Sequence, residues 1–273
     1  METRPKVNRK MRAPFEGPET APARPPAKAP RRPRNPDAAA LRRPPSPLLL
    51  AALFVLALLL VPAIPGEVRA LRLSVLFASG GGRSALGLPV PCAAFLGGFL
   101  AFCAAFATRR IPTAAYVAVH EATHALFGLA FGARVSKFRV GADGGSVDVS
   151  RRNAAILLAP YFFPLPLFAV LAAYGALSLF APLAGTAAGT AFAAAAGAAW
   201  GFHFCFTVNA LLQYQTDLDA YGFFFSSVIL ALLNLAVLGG ALAAVCPVPA
   251  AELARTAAES VAETYLWTLD LFR

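Results

Sequence analysis

The chain has 273 residues, of which 58% are apolar and only 14% are charged, and its mean hydropathy is +0.62. Soluble domains carry about 25% charged residues, so the composition excludes an ordinary soluble enzyme and indicates a membrane protein. The net charge of +10 is uneven along the chain, because the first 46 residues contain twelve Lys and Arg against four Asp and Glu.

Residues 1–46 are predicted to form a disordered, basic tail. Their stretch APARPPAKAPRRPRNP lacks large aliphatic side chains, so it cannot bury enough apolar surface to offset the entropy cost of ordering. An apolar run follows directly, and the positive-inside rule therefore places the tail in the cytoplasm. There it would attract anionic lipid headgroups, and we expect no nucleic-acid partner.

Four runs of the chain contain no charged side chain, and each is long enough to cross a bilayer at about 20 residues per helix. They cover residues 44–66, 84–108, 153–216 and 220–251. The third run is long enough for two crossings, with a turn at the Pro-Leu-Ala-Gly stretch, 182–185. Residues 47–111 are expected to hold the N-terminal spans. An apolar stretch at 47–65 also has the length of the core of a cleaved signal peptide.

Between and after these runs, the sequence predicts several shorter elements. Residues 67–83 contain three arginines and an SGGGR break, which favours an interfacial loop. Pro112, a preferred first helical residue, is expected to open a helix from Thr113 to Ala133 that is about 31 Å long and matches the bilayer core. Residues 249–273 are predicted to form an amphipathic helix.

A small β-hairpin is predicted directly after the Thr113 helix. Valines and a phenylalanine flank the turn-forming stretch GADGG within GARVSKFRVGADGGSVDVS, as in a hairpin. The predicted fold is thus an all-α polytopic membrane protein with about five to six transmembrane helices and this hairpin. If residues 86–108 cross fully there are six spans and the hairpin lies opposite the tail, whereas five spans put both on one side. The four cysteines show no CxxC spacing and are interpreted as small buried apolar side chains.

The predicted Thr113 helix carries the sequence HEATH, an HExxH pattern. His120 and His124 lie on one helical face, so their imidazoles can bind a single metal ion with Glu121 beside them. An ionisable residue within an apolar helix is costly unless it has a partner or a task. The pattern therefore predicts a zinc site, with Glu121 acting as general base on zinc-bound water.

Two histidines leave a tetrahedral zinc ion short of one protein ligand, with the last position open for water. The candidates near apolar segments after the hairpin are His203, Asp217 and Asp219. Since Asp217 and Asp219 are two residues apart, they do not point in the same direction, and only one of them is expected to be the ligand.

The order of these motifs resembles the site-2 protease family of intramembrane zinc metallopeptidases. In that family the third ligand is the aspartate of an Asn-x-x-Pro-x-x-x-Leu-Asp-Gly motif. Asn209 and Asp217 reproduce the spacing from asparagine to aspartate, and Leu218 with Asp219 reproduces the Leu-Asp pair. The chain departs from the motif at Leu212, where the family has proline, and neither aspartate is followed by glycine. The resemblance covers about residues 112–245.

The resemblance implies a peptidase core at residues 112–248 that binds one zinc ion through His120, His124 and Asp217, with Asp219 as the alternative ligand. It also implies that Asn209 helps to hold the substrate backbone. His203 is a candidate for a hydrogen bond to the substrate carbonyl or oxyanion, or else for one to a neighbouring carbonyl of the protein itself. The expected substrates are membrane-embedded or membrane-proximal protein segments, which the hairpin edge would bind by strand addition. The competing hypothesis is a non-catalytic zinc-binding membrane scaffold or chaperone with the same fold.

Overall fold

The computed structural model describes residues 46–78, 82–108, 113–141, 144–213 and 216–273. Residues 1–45 of the predicted tail, and Pro112, lie outside the described residues. The described chain is mostly helical. Its elements are α1 (Pro47–Leu60), α2 (Ala63–Phe77), α3 (Val90–Ala107), α4 (Thr113–Ala130), β1 (Val135–Gly141), β2 (Gly144–Val149), α5 (Ala154–Phe162), α6 (Leu165–Ser178), α7 (Ala187–Leu211), α8 (Thr216–Asp219), α9 (Phe223–Val245) and α10 (Ala250–Asp270).

Four helical segments among the described residues are long and apolar enough to cross a membrane, in agreement with a multi-pass membrane protein. They are Pro47–Leu76, which joins α1 and α2, and the helices α3, α7 and α9. The pair α5 and α6 would form a fifth span if it is counted as one broken crossing. Helix α4 is not among these segments. It ends at Ala130 rather than Ala133, because Gly132 adopts a φ of 69° and the N–H of Ala133 bonds back to Gly128.

The predicted interfacial loop at 67–83 is wrong for its first part, which is helix α2. This helix is amphipathic, and it packs against α10. The two backbones approach so closely that a Cβ on Gly66 would lie 2.6 Å from Cα of Val261. An ion pair between Arg69 and Glu263 joins the same two helices. The sequence of α2 alone does not reveal this partner helix, which lies nearly 200 residues further along the chain.

The first of the two crossings predicted within residues 153–216 is broken between α5 and α6, which meet at an angle of 72°. Pro164 causes the break, since proline lacks the N–H of a helical hydrogen bond and forces the preceding residue out of the helical region. Phe163 accordingly has φ −107° and ψ 91°. The break frees the carbonyl of Tyr161, which accepts a hydrogen bond of 2.9 Å from Nδ2 of Asn234 on α9. The PLAG stretch at 182–185 forms the predicted turn, with Gly185 at φ 75°.

Helices α3 and α7 run parallel and in close contact. A Cβ on Gly197 would lie 1.9 Å from the carbonyl oxygen of Phe95, and one turn later a Cβ on Gly201 would lie 3.0 Å from that of Phe99. Further along both helices, the rings of Phe106 and Phe206 are 5.0 Å apart. The residue numbers of the contacting residues increase along both helices, so the two helices run in the same direction. Small residues permit this approach, as is common between helices in membranes.

Helix α9 runs parallel to α1 and α2. Near the start of α9, Gly222 lies beside Leu50, and the rings of Phe224 and Phe54 are 5.2 Å apart. Further along, a Cβ on Gly239 would lie 3.2 Å from Cδ2 of Leu71. The predicted C-terminal helix is present as α10 and covers Ala250–Asp270.

The predicted β-hairpin is confirmed. Strands β1 and β2 pair antiparallel from Val135 opposite Val149 to Gly141 opposite Gly144, with an irregularity between Ser136 and Arg139. The hairpin packs on α4 at Gly128, where a Cβ would lie 2.7 Å from Cγ1 of Val149. The chain therefore folds its hairpin back onto the helix that carries the HExxH pattern.

Candidate metal centre

The two histidines of α4 turn the same ring nitrogen toward each other. Nε2 of His120 and Nε2 of His124 are 3.2 Å apart. Nδ1 of His124 lies 2.8 Å from the main-chain carbonyl of Ile156, which can only accept, so this nitrogen carries the proton and Nε2 presents a lone pair. Nδ1 of His120 lies 3.2 Å from the hydroxyl of Tyr116. Both outer nitrogens thus have partners of the kind that orient metal-binding histidines.

Asp217 completes a group of three potential ligands. Its Oδ2 lies 3.4 Å from Nε2 of His124, and one ligand atom from each of the three residues lies within 4.8 Å of the others. Helix α8 holds the carboxylate there because Leu218 is only 1% exposed and its carbonyl accepts a hydrogen bond from the fully buried Ser226. Asp219 is exposed and is not part of the group.

Two of the three separations between the ligand atoms fit a small tetrahedral ion, and the third is at most 4.8 Å. A zinc ion with bonds of about 2.0–2.1 Å has ligand-to-ligand edges of about 3.3–3.4 Å. The observed separations of 3.2 Å and 3.4 Å are close to that edge. The lone pair of His124 Nε2 and the carboxylate oxygen of Asp217 repel each other at this distance unless a proton or a cation lies between them. The residues present therefore fit a divalent ion at this position.

Glu121 stands next to the three ligands without being one of them. Its carboxylate interacts electrostatically with His124 and Asp217, and it accepts a hydrogen bond from the backbone N–H of Val147. Val147 lies in β2 opposite the irregular part of the hairpin, where a bulge interrupts regular pairing and can redirect a backbone group. The hairpin also approaches Glu121 at Gly145, where a Cβ would lie 2.8 Å from the glutamate Cγ. The hairpin thus fixes the position of this side chain.

Arg152 brings a positive charge to the edge of the group. Its Nη2 lies 3.8 Å from Oδ1 of Asp217, whereas Oδ2 of the same carboxylate faces the histidines. One oxygen of the Asp217 carboxylate therefore faces Arg152, and the other faces the two histidines. The Asp217 side chain is 18% exposed, so solvent screens this ion pair only in part.

His203 and Asn209 do not join the ligand group. Nε2 of His203 lies 2.9 Å from Oδ1 of Asn234, and His203 also hydrogen bonds to the backbone of Tyr161. These contacts agree with the second interpretation of His203, as a histidine that is satisfied by the protein's own carbonyl at the break between α5 and α6. Asn209 is exposed near the end of α7.

Sequence reasoning missed four residues that surround the site. Tyr116 is one helical turn before His120 and contacts it, which the i to i+4 spacing indicates. Asn234 is a lone amide in an apolar helix, and such residues in membranes usually have a specific partner. No sequence pattern indicated Arg152 or Tyr161. The ring centroid of Tyr161 is 5.3 Å from that of His120.

Comparisons with family models, curated proteins and solved structures find no match for this chain.

Proposed function

We propose that this protein is an intramembrane zinc metallopeptidase, similar in its chemistry to the site-2 protease family. It would hydrolyse peptide bonds in membrane-embedded or membrane-proximal segments of other proteins. The proposal includes a cytoplasmic tail that attracts anionic lipid. The observation that carries the proposal is that His124 Nε2 lies 3.2 Å from His120 Nε2 and 3.4 Å from Asp217 Oδ2, beside a glutamate that is outside this ligand group.

In the proposed mechanism, three residues bind the metal ion and a fourth residue transfers protons. His120, His124 and Asp217 would hold the ion, which would acidify water and polarise a carbonyl when bound. Glu121 accepts the proton of the attacking water and later delivers it to the leaving amine, as a general base and then a general acid. The backbone N–H of Val147 interacts with this carboxylate and would help to orient it for both transfers.

The arrangement of the hairpin supports a peptide as the substrate. Strands β1 and β2 are the whole sheet among the described residues, so each has an edge without a strand neighbour in that sheet. A substrate segment must leave its helical form before hydrolysis, because the helix shields its peptide bonds, and an extended segment can pair with such an edge. Since the hairpin holds Glu121, a segment bound along it would be brought close to the general base.

The test compares the Glu121→Gln variant with the unchanged protein, each co-expressed with tagged single-span membrane proteins. We expect the variant to retain one zinc ion, measured by plasma mass spectrometry after purification, and to lose cleavage of any reporter that the unchanged protein cuts. The Glu259→Gln variant is the matched control, because Glu259 is an exposed residue of α10. Equal cleavage by the Glu121→Gln variant would remove this residue from the role of base.

The second candidate is a zinc-binding membrane scaffold without turnover, which the same three ligands would support. The two functions differ in the role of Glu121, because a scaffold needs the ligands but no proton acceptor. Zinc binding combined with an absence of cleavage in the unchanged protein would favour the scaffold. The position of Glu121, fixed by a backbone hydrogen bond from the hairpin, favours the peptidase.

A further inference from the structure

The four cysteines of the chain form two pairs in the folded protein, although they are far apart in sequence. Sγ of Cys205 lies 3.5 Å from Sγ of Cys103, and the thiols of Cys92 and Cys246 are hydrogen bonded to each other. We propose that Cys103 and Cys205 are a redox modification site, which forms a reversible disulfide between α3 and α7 on reaction with a small apolar disulfide. This inference does not depend on the proposed peptidase activity.

The backbone geometry around Cys103 and Cys205 favours the bond. Cys205 follows Gly197 and Gly201 on the same face of α7, at intervals of one helical turn, and those glycines lie against the backbone of α3. Cys103 is one turn beyond Phe99, the contact of Gly201. The two helices are therefore close together and in register at the cysteines. A disulfide has a sulfur separation of about 2.05 Å, so the sulfur atoms must approach by about 1.5 Å, which small side-chain rotations can supply.

The Cys103 and Cys205 side chains are more exposed than those of Cys92 and Cys246. Cys92 and Cys246 are buried, with 4% and 8% of their surfaces exposed, whereas Cys103 and Cys205 are both partly exposed. A reagent that enters from the surrounding apolar phase therefore reaches Cys103 and Cys205 before it reaches Cys92 and Cys246. Thiol reactivity depends on access as well as on the thiolate fraction. The buried pair serves as an internal comparison, with similar side chains but less access.

The reaction is a two-step thiol–disulfide exchange. The thiolate of one cysteine attacks a sulfur of the small disulfide, so that a mixed disulfide forms and one small thiolate leaves. The thiolate of the other cysteine then attacks the sulfur of the first, which forms the Cys103–Cys205 bond and releases the second small thiolate. The two thiol protons end on the released thiolates, and the two electrons pass from the cysteine pair to the small disulfide. An excess of dithiol reductant reverses both steps.

The experiment uses the full chain in detergent micelles and 2,2′-dithiodipyridine, an apolar aromatic disulfide. We expect the unchanged protein to release two thiopyridone molecules rapidly, measured by absorbance, without retaining an adduct. Its intact mass should fall by two hydrogens, and a peptide map should link Cys103 to Cys205. In the Cys205→Ser variant, release should halve and Cys103 should retain one thiopyridyl group. The Cys92→Ser variant should behave as the unchanged protein does.

Two results would overturn the proposal without reliance on any variant. One is an unchanged protein in which Cys103 and Cys205 each keep a thiopyridyl adduct, because neighbouring thiols would expel it. The other is a peptide map that links either residue to a different cysteine or to a second molecule. A disulfide that forms first between Cys92 and Cys246 would likewise contradict the order predicted from exposure.

Discussion

Replacement of Gly145 by alanine tests the inference that the hairpin positions Glu121. A Cβ at this position would lie 2.5 Å from Cγ1 of Val117 and 2.8 Å from Cγ of Glu121. Carbon atoms in contact are normally about 3.5–4.0 Å apart. The valine must therefore move by about 1 Å and the glutamate by at least about 0.7 Å, or the hairpin must lift by a similar amount.

The expected effects on stability and on catalysis differ. Overpacking of this kind costs about 1–3 kcal/mol in the free energy of unfolding. A displacement of about 1 Å at a catalytic group lowers the rate about 100-fold, which corresponds to about 2.7 kcal/mol in the activation barrier. The three atoms nearest to the added methyl group belong to Val117, Glu121 and Arg139 and to neither histidine, so we expect the zinc content to stay at one ion per chain.

The assay measures zinc by plasma mass spectrometry and cleavage of a reporter that the unchanged protein cuts. The Gly175→Ala variant is the control, because nothing lies within 4 Å of a Cβ at that position, and its rate should match that of the unchanged protein. A Gly145→Ala variant that keeps zinc and cleaves within about twofold of the normal rate, against the 100-fold loss expected from displacement, would refute the reasoning. A variant that loses zinc would refute it too, since the predicted disturbance is confined to the glutamate.

Three further predictions concern the ligands and their support. Loss of a residue that only supports a metal ligand typically weakens metal binding about 10–100-fold, and the Asp217→Asn variant should weaken zinc binding more than this because Asp217 is proposed as a ligand itself. The Asp219→Asn variant should bind zinc as tightly as the unchanged protein. Equal losses in the two variants, measured by competition with a chelator, would contradict the assignment. The Tyr116→Phe variant should bind zinc about 10-fold more weakly in the same assay, because it removes the partner of His120 Nδ1, and an unchanged affinity would exclude that role. The Asn234→Leu variant should lose about 1–3 kcal/mol of unfolding free energy, measured by thermal denaturation, with normal zinc content, because it removes the partner of His203 Nε2 and one hydrogen bond to the Tyr161 carbonyl.

The parts of the site that depend on local spacing could be predicted from sequence. The interval between His120 and His124 follows from one turn of a helix, and the strand-forming residues around GADGG predict the hairpin. Asp217 was selected by its distance from Asn209 in the family motif, and the structure brings its carboxylate to the histidines. That selection depended on a resemblance, because residue types alone left Asp219 equally available.

The contacts between distant segments could not be predicted in this way. Gly145 is an ordinary turn residue in sequence, and only the packing of the hairpin on α4 gives its missing side chain a role. Arg152 follows the hairpin with no spacing that connects it to Asp217, yet it lies beside that residue, 65 positions away, at 3.8 Å. The cysteine pairs were invisible for the same reason, since no CxxC spacing connects them and helix packing alone brings Cys103 to Cys205.

The parallel direction of α3 and α7 has a consequence for how the chain is threaded through a bilayer. Two helices that cross in the same direction require an odd number of crossings between them. Of the described elements that lie between α3 and α7, only the broken pair α5–α6 qualifies as a crossing, so α4 and its hairpin would dip into the bilayer and return to the face from which they entered. The four long apolar segments and the broken pair give up to five crossings by length and composition, and with five crossings α1 and α9 would also cross in the same direction, in agreement with their parallel packing.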